Sequence, residues 1–526
     1  MESRSFTAAQ RQLNRWLAAL AILAIVLALS QLRRAEADVR ITPTVVGTTP
    51  VTLYRPADGR PAPVVLIAHG FAGSQELMQS FALCFARNGY IAVTFDFPGH
   101  GRNPRPLTGS ITQVNGATQT LLHSLEDIGR FARGLGDGRM AVLGHSMASD
   151  IVVRYAEETP TVAATIAVSM FSPAVTASAP RDLLVIAGDW EGMLKREALR
   201  AVNLAIQPAL AVAGHTYGDM QSGTARRAAF SAYVEHVSVL FSQDSLRESL
   251  NWLDQAFGTV RTSPARFDAR GPWIMLLIGG LVLLGRPLST LLPRLAAHPL
   301  GAGRAGRRLW LPLLLPMVAT PLLLRVVPTH FLPVLVGDYL AAHFALYGIL
   351  TAACLYLTRR VAADVPTPLP ELAVGGHRAD SAIRFGVATA AVIAYGFVAI
   401  VWPINSFFTA FVPGPARTLL VLAMLIGTLS YFLADEWLTR GVGAARGAYA
   451  ASKVALVISL AFAVYLDFER LFFLVIIVPV ILLFFVVYGL ISSWAYRRTG
   501  QPLVGAVACA VALAWAIGVT FPLLAS

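Results

Sequence analysis

The sequence predicts two kinds of structure in one chain: an α/β domain with a mostly parallel sheet and helices on both faces, and an α-helical polytopic membrane domain. Of the 526 residues, 56% are hydrophobic and only 14% are charged, which is too apolar for a wholly soluble protein. Residues 38–263 alternate short β-branched runs with helical stretches, which is the α/β pattern. Residues 264–526 contain repeated apolar runs of about 20 residues, the length that crosses a bilayer.

The N-terminal segment, residues 1–37, is predicted to be a cytoplasmic tail and a membrane anchor. Residues 16–32 form one apolar run of about one membrane span. A cleaved signal peptide is the alternative, because Ala-Glu-Ala at 35–37 has the small-x-small form of a cleavage site. Arg33 and Arg34 lie between the apolar run and that site, and they favour an uncleaved anchor. Both interpretations carry the next domain across the membrane.

Residues 38–263 are expected to form the sheet and its helices. Near-continuous apolar strands predict a parallel sheet that is buried on both faces. The predicted strands are 64–70, 90–97, 140–146, 163–171, 182–188 and 227–233. The predicted helices include 75–88, 118–134 and 244–257.

Residues 264–526 are expected to form about eight membrane helices, which makes nine spans with the anchor. The predicted spans lie near 273–292, 309–328, 332–358, 385–402, 417–434, 451–466, 471–492 and 503–524. Basic residues cluster in alternate connections, for example Arg304, Arg307 and Arg308 in one and Arg440 and Arg446 in another. By the positive-inside rule these connections are cytoplasmic, which puts the α/β domain on the outer face of a plasma or inner membrane.

The distribution of charge and cysteine excludes several classes of protein. The net charge is +12, but residues 40–266 hold 19 basic and 18 acidic residues, so the excess flanks the apolar segments. This pattern indicates membrane topology rather than a surface that binds nucleic acid. Cys84, Cys354 and Cys509 form no disulfide framework, and no Cys or His pair has the spacing of zinc ligands. No metal or organic cofactor is expected.

A candidate nucleophile, Ser146, lies between a predicted strand and a plausible helix. A reactive serine on such a turn needs small neighbours because the backbone passes close on both sides, and Gly144 and Ala148 meet that need. An ordinary serine in a strand-to-helix turn is the alternative for this motif alone. Two further loops, 69–74 and 95–101, end earlier strands with glycine and histidine and strengthen the nucleophile interpretation.

These segments, taken in order, resemble the α/β-hydrolase superfamily in its esterase, lipase and serine-peptidase-like branch. The resemblance covers about residues 50–260 and does not identify a substrate. It implies a catalytic order of serine, acid and histidine along the chain. His236 follows the last predicted strand and is the expected general base; the rival, His215, precedes that strand.

The resemblance also implies the acid and the oxyanion hole. Family spacing selects Glu191, three residues beyond the glycine that ends a predicted strand, over Asp189. The backbone N–H groups of Phe71 and Met147 are the expected oxyanion donors. Only a short segment lies where the superfamily often carries a lid. A cover for the pocket is therefore expected from residues 192–225 or from the outer loops of the membrane domain.

Two polar residues, Asp338 and His343, fall inside one predicted membrane span, where polar groups are costly and become functional candidates. They are five residues apart, so on a helix they point roughly 140° apart and form no obvious joint site. The alternative interpretation is a contact between packed helices, or a position near the outer rim of the membrane.

A second polar group in the membrane half contains Asp435, Glu436 and Arg440. Their spacing resembles the acidic pair and arginine of CAAX-processing intramembrane proteases. That family also needs later histidines, and this sequence has none beyond position 377. A charge cluster at the cytoplasmic end of a helix is the favoured interpretation.

The sequence therefore predicts a membrane-anchored serine hydrolase that acts on a small-molecule or lipidic carboxylic ester, with membrane lipid around it. The same triad would also serve a serine peptidase or an acyltransferase. The alternative from another class is a polytopic transporter or scaffold with a non-catalytic hydrolase-like domain.

Overall fold

A computed structural model describes residues 8–110, 114–268, 270–329, 331–360 and 378–525. The first seven residues of the predicted tail and a stretch of the predicted membrane domain lie outside these described residues. The chain divides into two compact units, here called the sheet unit and the helical unit. The sheet unit comprises Ile25–Leu277, Pro403–Val412 and Pro522–Ser526. The helical unit comprises Met1–Ala24, Ile278–Trp402 and Pro413–Phe521.

The sheet unit is built on nine strands in the order β1-β2-β4-β3-β5-β6-β7-β9-β8. The strands are β1 (Val39–Val46), β2 (Thr49–Pro56), β3 (Val64–Ala68), β4 (Ile91–Phe95), β5 (Met140–His145), β6 (Val162–Val168), β7 (Leu183–Gly188), β8 (Thr216–Tyr217) and β9 (Arg226–Ser231). Strands β3 to β7 and β9 pair in parallel, and β1, β2 and β8 add antiparallel pairs at the two edges. The predicted mostly parallel sheet is confirmed.

The hairpin of β1 and β2 is absent from the predicted strands. Its sequence carries Pro43 and Pro50, which weaken a strand pattern, and in β1 Val39 alone is buried. Pro43 lies on the edge strand β1, where proline is tolerated because one side of the strand needs no N–H group, and Pro50 lies near the start of β2. The pairing of β1 with β2, and of β2 with β4, therefore depends on long-range burial rather than on a local signal.

Helices cover both faces of the sheet. The first six are α1 (Ala8–Ala37), α2 (Gln79–Arg87), α3 (Gln119–Arg133), α4 (Met147–Glu158), α5 (Gly192–Ile206) and α6 (Gln243–Phe257). On β3, Val65 and Ile67 join a core that contains side chains of α2 and α6. Val64 and Leu66 join a second core, formed with α3 and α4. Successive strand residues point to opposite faces, so an all-apolar strand fills both cores at once.

The remaining helices follow the sheet in the sequence. They are α7 (Arg270–Leu288), α8 (Arg307–Leu324), α9 (Gly337–Arg360), α10 (Arg378–Gly396), α11 (Trp402–Phe407), α12 (Pro415–Thr439), α13 (Ala448–Leu466), α14 (Phe468–Leu471), α15 (Phe473–Thr499) and α16 (Pro502–Thr520). Within the described ranges, nine helical stretches are long and apolar enough to cross a membrane, and they overlap the nine predicted spans. The composition and length of these helices indicate a membrane protein.

One segment from the membrane half, residues 403–412, belongs to the sheet unit. It connects a candidate span that ends at Phe407 with one that begins at Pro415. Ser74 Oγ lies 3.0 Å from Thr409 Oγ1 and accepts a hydrogen bond from the backbone N–H of the next residue at 2.8 Å. The loop that follows β3 is therefore bonded to this connection.

A second such segment begins at residue 522, shortly after α16 ends. The backbone N–H of Leu523 donates to the carbonyl of Gly99 at 2.9 Å, and the N–H of Leu107 donates to the carbonyl of Leu523 at 2.8 Å. These bonds attach the segment to the loop that follows β4. Side chains at position 99 would collide with it, because a Cβ there would approach the Leu523 carbonyl oxygen to 2.7 Å.

Candidate active site

Ser146 lies on the turn between β5 and α4, with φ 55° and ψ −119°. A positive φ is uncommon for a residue other than glycine, and such strain concentrates at functional sites. The turn is tight enough that a Cβ on Gly144 would overlap the backbone of Ala148. Glycine is required there, as the sequence pattern predicts, and the turn presents the serine at the carboxyl end of the central strands.

The structure brings Ser146, His236 and Glu191 together. His236 Nε2 lies 2.8 Å from Ser146 Oγ, and its Nδ1 lies 2.6 Å from Glu191 Oε1. The three residues follow β5, β9 and β7, so three separate loops meet at one end of the sheet. With Glu191 ionised, the Nδ1–H of His236 donates to the carboxylate, and its Nε2 is the acceptor that faces the serine hydroxyl.

Glu191 is held in its charged form by hydrogen bonds. Burial of its carboxyl raises the pKa, but hydrogen bonds from His236, from the backbone N–H of Gly188 and from Ser169 lower it further, so the pKa lies below its usual value. The distances to Oε2 are 2.6 Å from Gly188 N and 2.7 Å from Ser169 Oγ. An ionised, fully bonded carboxylate is the form that orients an imidazole and stabilises the imidazolium.

The two rival residues have other partners. Asp189 Oδ1 forms an ion pair with Lys195 Nζ at 2.6 Å. The ring of His215 packs against Tyr217, with 4.5 Å between the ring centroids. The carboxylate and imidazole next to Ser146 are thus the ones preferred from the sequence, Glu191 and His236.

The backbones of both predicted oxyanion donors flank Ser146. A Cβ on Gly70, the residue before Phe71, would lie 3.0 Å from Ser146 Cβ, so this loop passes directly beside the serine. Met147 opens α4, and the first N–H groups of a helix have no acceptor within the helix. The N–H groups of Phe71 and Met147 therefore stay the predicted donors to an oxyanion at this serine.

His69 fixes the loop that carries Phe71. Its Nδ1 lies 2.8 Å from the carbonyl oxygen of Gly70, and its Nε2 accepts a hydrogen bond from the N–H of Phe97 at 3.1 Å. Burial lowers the pKa of His69 to about 3, so the ring is neutral and its Nδ1–H donates. The role of His69 is therefore packing and hydrogen bonding between two loops.

His145, the residue before Ser146, contacts the loop that carries the proposed base. Its Nε2 lies 2.9 Å from the carbonyl oxygen of His236, and the two rings lie 4.9 Å apart. Burial lowers the pKa of His145 to about 3, so a neutral ring donates to that carbonyl. In the sequence, only the position of His145 next to Ser146 indicates a role at the site. Its partner, His236, lies 91 residues away and could not be identified from local sequence.

Asp338 and His343 are not brought together as one site. The carboxylate of Asp338 accepts the backbone N–H of Tyr339 at 2.7 Å, at the start of α9. His343 Nε2 lies 3.1 Å from Ser459 Oγ on α13. His343 Nδ1 also lies 3.4 Å from the hydroxyl of Tyr339, whose backbone N–H bonds to Asp338, but no bond joins the two side chains directly.

Asp435, Glu436 and Arg440 form buried ion pairs in the helical unit. Asp435 pairs with Lys453, and Glu436 pairs with Arg440 at 2.9 Å. Ser492 Oγ also donates to Glu436 at 2.8 Å. Within the part of the chain that the structure describes, no group of three or more His, Cys, Asp or Glu residues is arranged to hold a metal ion.

Comparison with known proteins identifies the fold of the sheet unit. The family model for the alpha/beta hydrolase fold matches residues 63–258, a range that contains Ser146, Glu191 and His236. Together with the mostly parallel sheet, this match shows that the chain combines an α/β hydrolase fold with a helical C-terminal region. No curated protein matches the sequence.

The solved structures that match the chain are distant from it in sequence. A predicted CIB-like hydrolase from Thermoplasma acidophilum is 16% identical, with 41% of this chain and 97% of that chain covered and a TM-score of 0.31. A membrane phospholipase A, described as a bacterial virulence factor, is 14% identical, with 47% and 99% covered and a TM-score of 0.30. A dienelactone hydrolase from Anabaena variabilis is 14% identical, with 43% and 100% covered and a TM-score of 0.29.

Proposed function

On the α/β hydrolase fold of residues 63–258, we propose a membrane-anchored serine hydrolase that cleaves a carboxylic ester. The observation that carries the proposal is the hydrogen-bonded series from Ser146 through His236 to Glu191. A hydroxyl, an imidazole and a carboxylate in this order are the parts of a nucleophilic acyl-transfer site. The strained turn that exposes the serine supports the same role.

In the first half of the reaction, Ser146 Oγ attacks the acyl carbonyl carbon while His236 Nε2 removes the hydroxyl proton. The imidazolium that forms is stabilised by the carboxylate of Glu191. The negative charge on the carbonyl oxygen is bound by the N–H groups of Phe71 and Met147. His236 then gives its proton to the leaving alkoxide, the ester bond breaks, and an acyl-enzyme remains on the serine.

In the second half, a water molecule replaces the alcohol. His236 removes a proton from this water, whose oxygen attacks the acyl-enzyme carbonyl, and the same two amides bind the second oxyanion. Collapse of this intermediate returns the proton to Ser146 and releases the carboxylic acid. These steps use only groups of the chain and the water that is consumed.

The proposal places the site on the outer face of a plasma or inner membrane. Basic residues lie in alternate connections, such as Arg304 after α7 and Arg446 after α12, whereas residues 408–414 contain no Lys or Arg. With nine spans, the positive-inside rule puts residues 408–414 on the same side as the hydrolase fold. Segment 403–412 belongs to the same unit as that fold, which supports this orientation.

The first test is labelling of the purified full-length protein with a fluorophosphonate probe, which reacts with activated serines. We expect wild type to be labelled, and the Ser146→Ala and His236→Ala variants to lose labelling. His215→Ala is the matched control and should label like wild type, because His215 packs on Tyr217. A folded wild-type protein that stays unlabelled, or labelling that persists in Ser146→Ala, would contradict the proposal.

A positive result leads to a panel of esters, peptides and acyl acceptors. The proposed activity predicts turnover of esters by wild type and none by Ser146→Ala. Cleavage of peptides in preference to esters would replace the ester-hydrolase proposal with a peptidase on the same triad.

A further inference from the structure

Four large apolar side chains are exposed around the candidate active site. Phe171, Trp190, Met193 and Tyr233, here called the apolar rim, are between 62% and 80% exposed. Three of them are aromatic, and aromatic side chains bury much apolar area when they find a partner. Several large apolar side chains left exposed at one end of a folded domain favour a binding site there.

Backbone contacts place the apolar rim beside the triad. Trp190 directly precedes Glu191, and its N–H donates to the carbonyl of Val234 at 3.1 Å, two residues before His236. Tyr233 lies on the same loop, after β9. The rim residues Trp190 and Tyr233 therefore lie on the two loops that supply the acid and the base.

Phe171 approaches the site from a third loop, after β6. Its N–H lies 3.4 Å from Ser149 Oγ, whose own N–H donates to the carbonyl of Ser146 at 2.9 Å. Met193 lies in the first turn of α5, two residues after Glu191. The rim thus follows β6, β7 and β9, and Ser146 follows the neighbouring β5. All four loops open at the carboxyl end of the sheet.

A second, independent observation concerns the loop that carries Phe71. Ser74 on this loop bonds to Thr409 and Ala410, which lie only two and three residues beyond the end of a candidate span at Phe407. A residue so close to the end of a span lies near the surface of the bilayer, because each residue adds at most about 3.3–3.6 Å. The loop after β3 is therefore held near that surface.

The loop after β4 has the same kind of attachment. Leu523, which bonds to Gly99 and Leu107, is three residues beyond the candidate span that ends at Thr520. The hydrolase fold is also tethered by the spans that precede it and follow it in the sequence. These attachments bring the mouth of the site close to the lipid of one leaflet.

We propose that the apolar rim binds the acyl chain of a lipid ester that enters from the adjoining leaflet, with its ester carbonyl at Ser146. The proposal rests on the proposed ester hydrolysis and names its substrate class. An acyl chain fits the chemistry of the rim, because the rim offers aromatic and thioether surface. The charge of Asp189, the residue before Trp190, is paired with Lys195 at 2.6 Å.

The experiment measures how the length of the acyl chain affects turnover. Full-length wild type and the variants Trp190→Ala and Phe171→Ala, in nanodiscs of neutral phospholipid, are given p-nitrophenyl acetate and p-nitrophenyl dodecanoate. Val260→Ser is the matched control: this side chain is 88% exposed, next to Thr259, which contacts Tyr90 at the opposite end of the sheet.

We expect wild type to have a higher kcat/KM for the dodecanoate than for the acetate. Each rim variant should lose about tenfold in kcat/KM for the dodecanoate, the effect of exposing one or two methylene groups. The same variants should keep kcat/KM for the acetate within about twofold, because the acetyl group is too short to reach the rim. Val260→Ser should behave like wild type with both esters.

Three outcomes would overturn the inference. Equal losses on both esters would show that the rim supports the fold of the site, and no loss on either would show that it binds no acyl chain. Retained turnover of the dodecanoate in detergent micelles, with loss only in nanodiscs, would make the rim an anchor in the bilayer. The proposed function fails separately, if wild type cleaves neither ester or if Ser146→Ala still cleaves both.

Discussion

The sheet unit and the helical unit each contain a cluster of charged and polar side chains, but the two clusters differ in how far their members are exposed to solvent. In the helical unit, Lys453 and Asp435 are 6% and 2% exposed and neutralise each other. In the sheet unit, Glu191 is 6% exposed, whereas its partner His236 is 40% exposed and faces the serine hydroxyl. A buried polar cluster alone therefore does not indicate catalysis. A site needs one fixed end and one end that substrate can reach.

The same contrast holds for the backbone. Ser146 is held at φ 55° on a turn that a Cβ at position 144 would block, so the chain accepts strain to present one hydroxyl. Asp435 and Lys453 lie inside regular helices, where no unusual backbone conformation is needed. We interpret the first cluster as machinery for a reaction and the second as a contact between packed helices.

The largest expected effect comes from removing the hydroxyl of Ser146, the proposed nucleophile. Ser146→Ala should lower kcat/KM for an ester substrate by at least about 10⁴-fold, because no other group replaces the nucleophile. The thermal midpoint should change by no more than a few degrees, since only one oxygen is lost. Ester turnover and thermal unfolding of the same preparation check both statements. Turnover that survives in the variant would assign the chemistry to another residue.

The next largest effect distinguishes Glu191, the proposed acid, from Asp189 on the same loop. Glu191→Gln removes the charge that orients His236 and should lower kcat/KM by about 10³–10⁴-fold. Asp189→Asn is the matched control and should lower kcat/KM by less than about threefold, because the Asp189 side chain is 44% exposed and its partner is Lys195. Both values come from initial rates at pH 8. Similar losses in the two variants would contradict the assignment of the acid.

The third effect should appear in stability and leave the chemistry unchanged. Lys453→Met leaves the buried carboxylate of Asp435 without its partner and should destabilise the protein by about 3–5 kcal/mol. The double variant Asp435→Asn with Lys453→Met removes both charges and should recover part of that loss. Thermal unfolding in detergent, with Arg446→Met as an exposed control, provides the measurement.

Fluorophosphonate labelling of the folded fraction tests whether the Asp435–Lys453 cluster also affects the reactivity of Ser146. Labelling per folded molecule should be the same in wild type and in Lys453→Met, if the helical cluster only packs helices. Loss of labelling at unchanged stability would instead join the two clusters into one functional system.

Much of the fold and site could be predicted because the signals are local. Six of the nine strands were predicted, most of them from apolar runs, and the family resemblance implied the order of serine, acid and histidine after them. The hairpin of β1 and β2 and the helix α5 were not predicted, since proline-interrupted edge strands and a half-exposed helix lack an apolar run. Ser169 and His145 gain their roles only through contacts with residues 22 and 91 positions away.

The smallest expected effect concerns the two buried histidines next to the site, His69 and His145. Each has its pKa lowered to about 3 by burial, whereas the unfolded chain binds a proton near pH 6.5. Between those values the unfolded state binds more protons, so stability is full above about pH 6.5 and falls as the pH is lowered. Each histidine contributes at most about 1.4 kcal/mol per pH unit to that slope.

His145→Gln tests this slope and its link to the site. Glutamine cannot take up a proton, so the variant should show a shallower loss of stability than wild type between pH 6.5 and pH 5. Its side-chain amide can still donate to the His236 carbonyl, whereas His145→Ala cannot. We therefore expect kcat to fall less in the glutamine variant than in the alanine variant. Unfolding curves and initial rates of wild type and both variants over this pH range provide the measurement. If the pH dependence of stability is the same in wild type and His145→Gln, His145 is not a buried neutral ring. If the two variants have equal kcat, the hydrogen bond of His145 does not position the base.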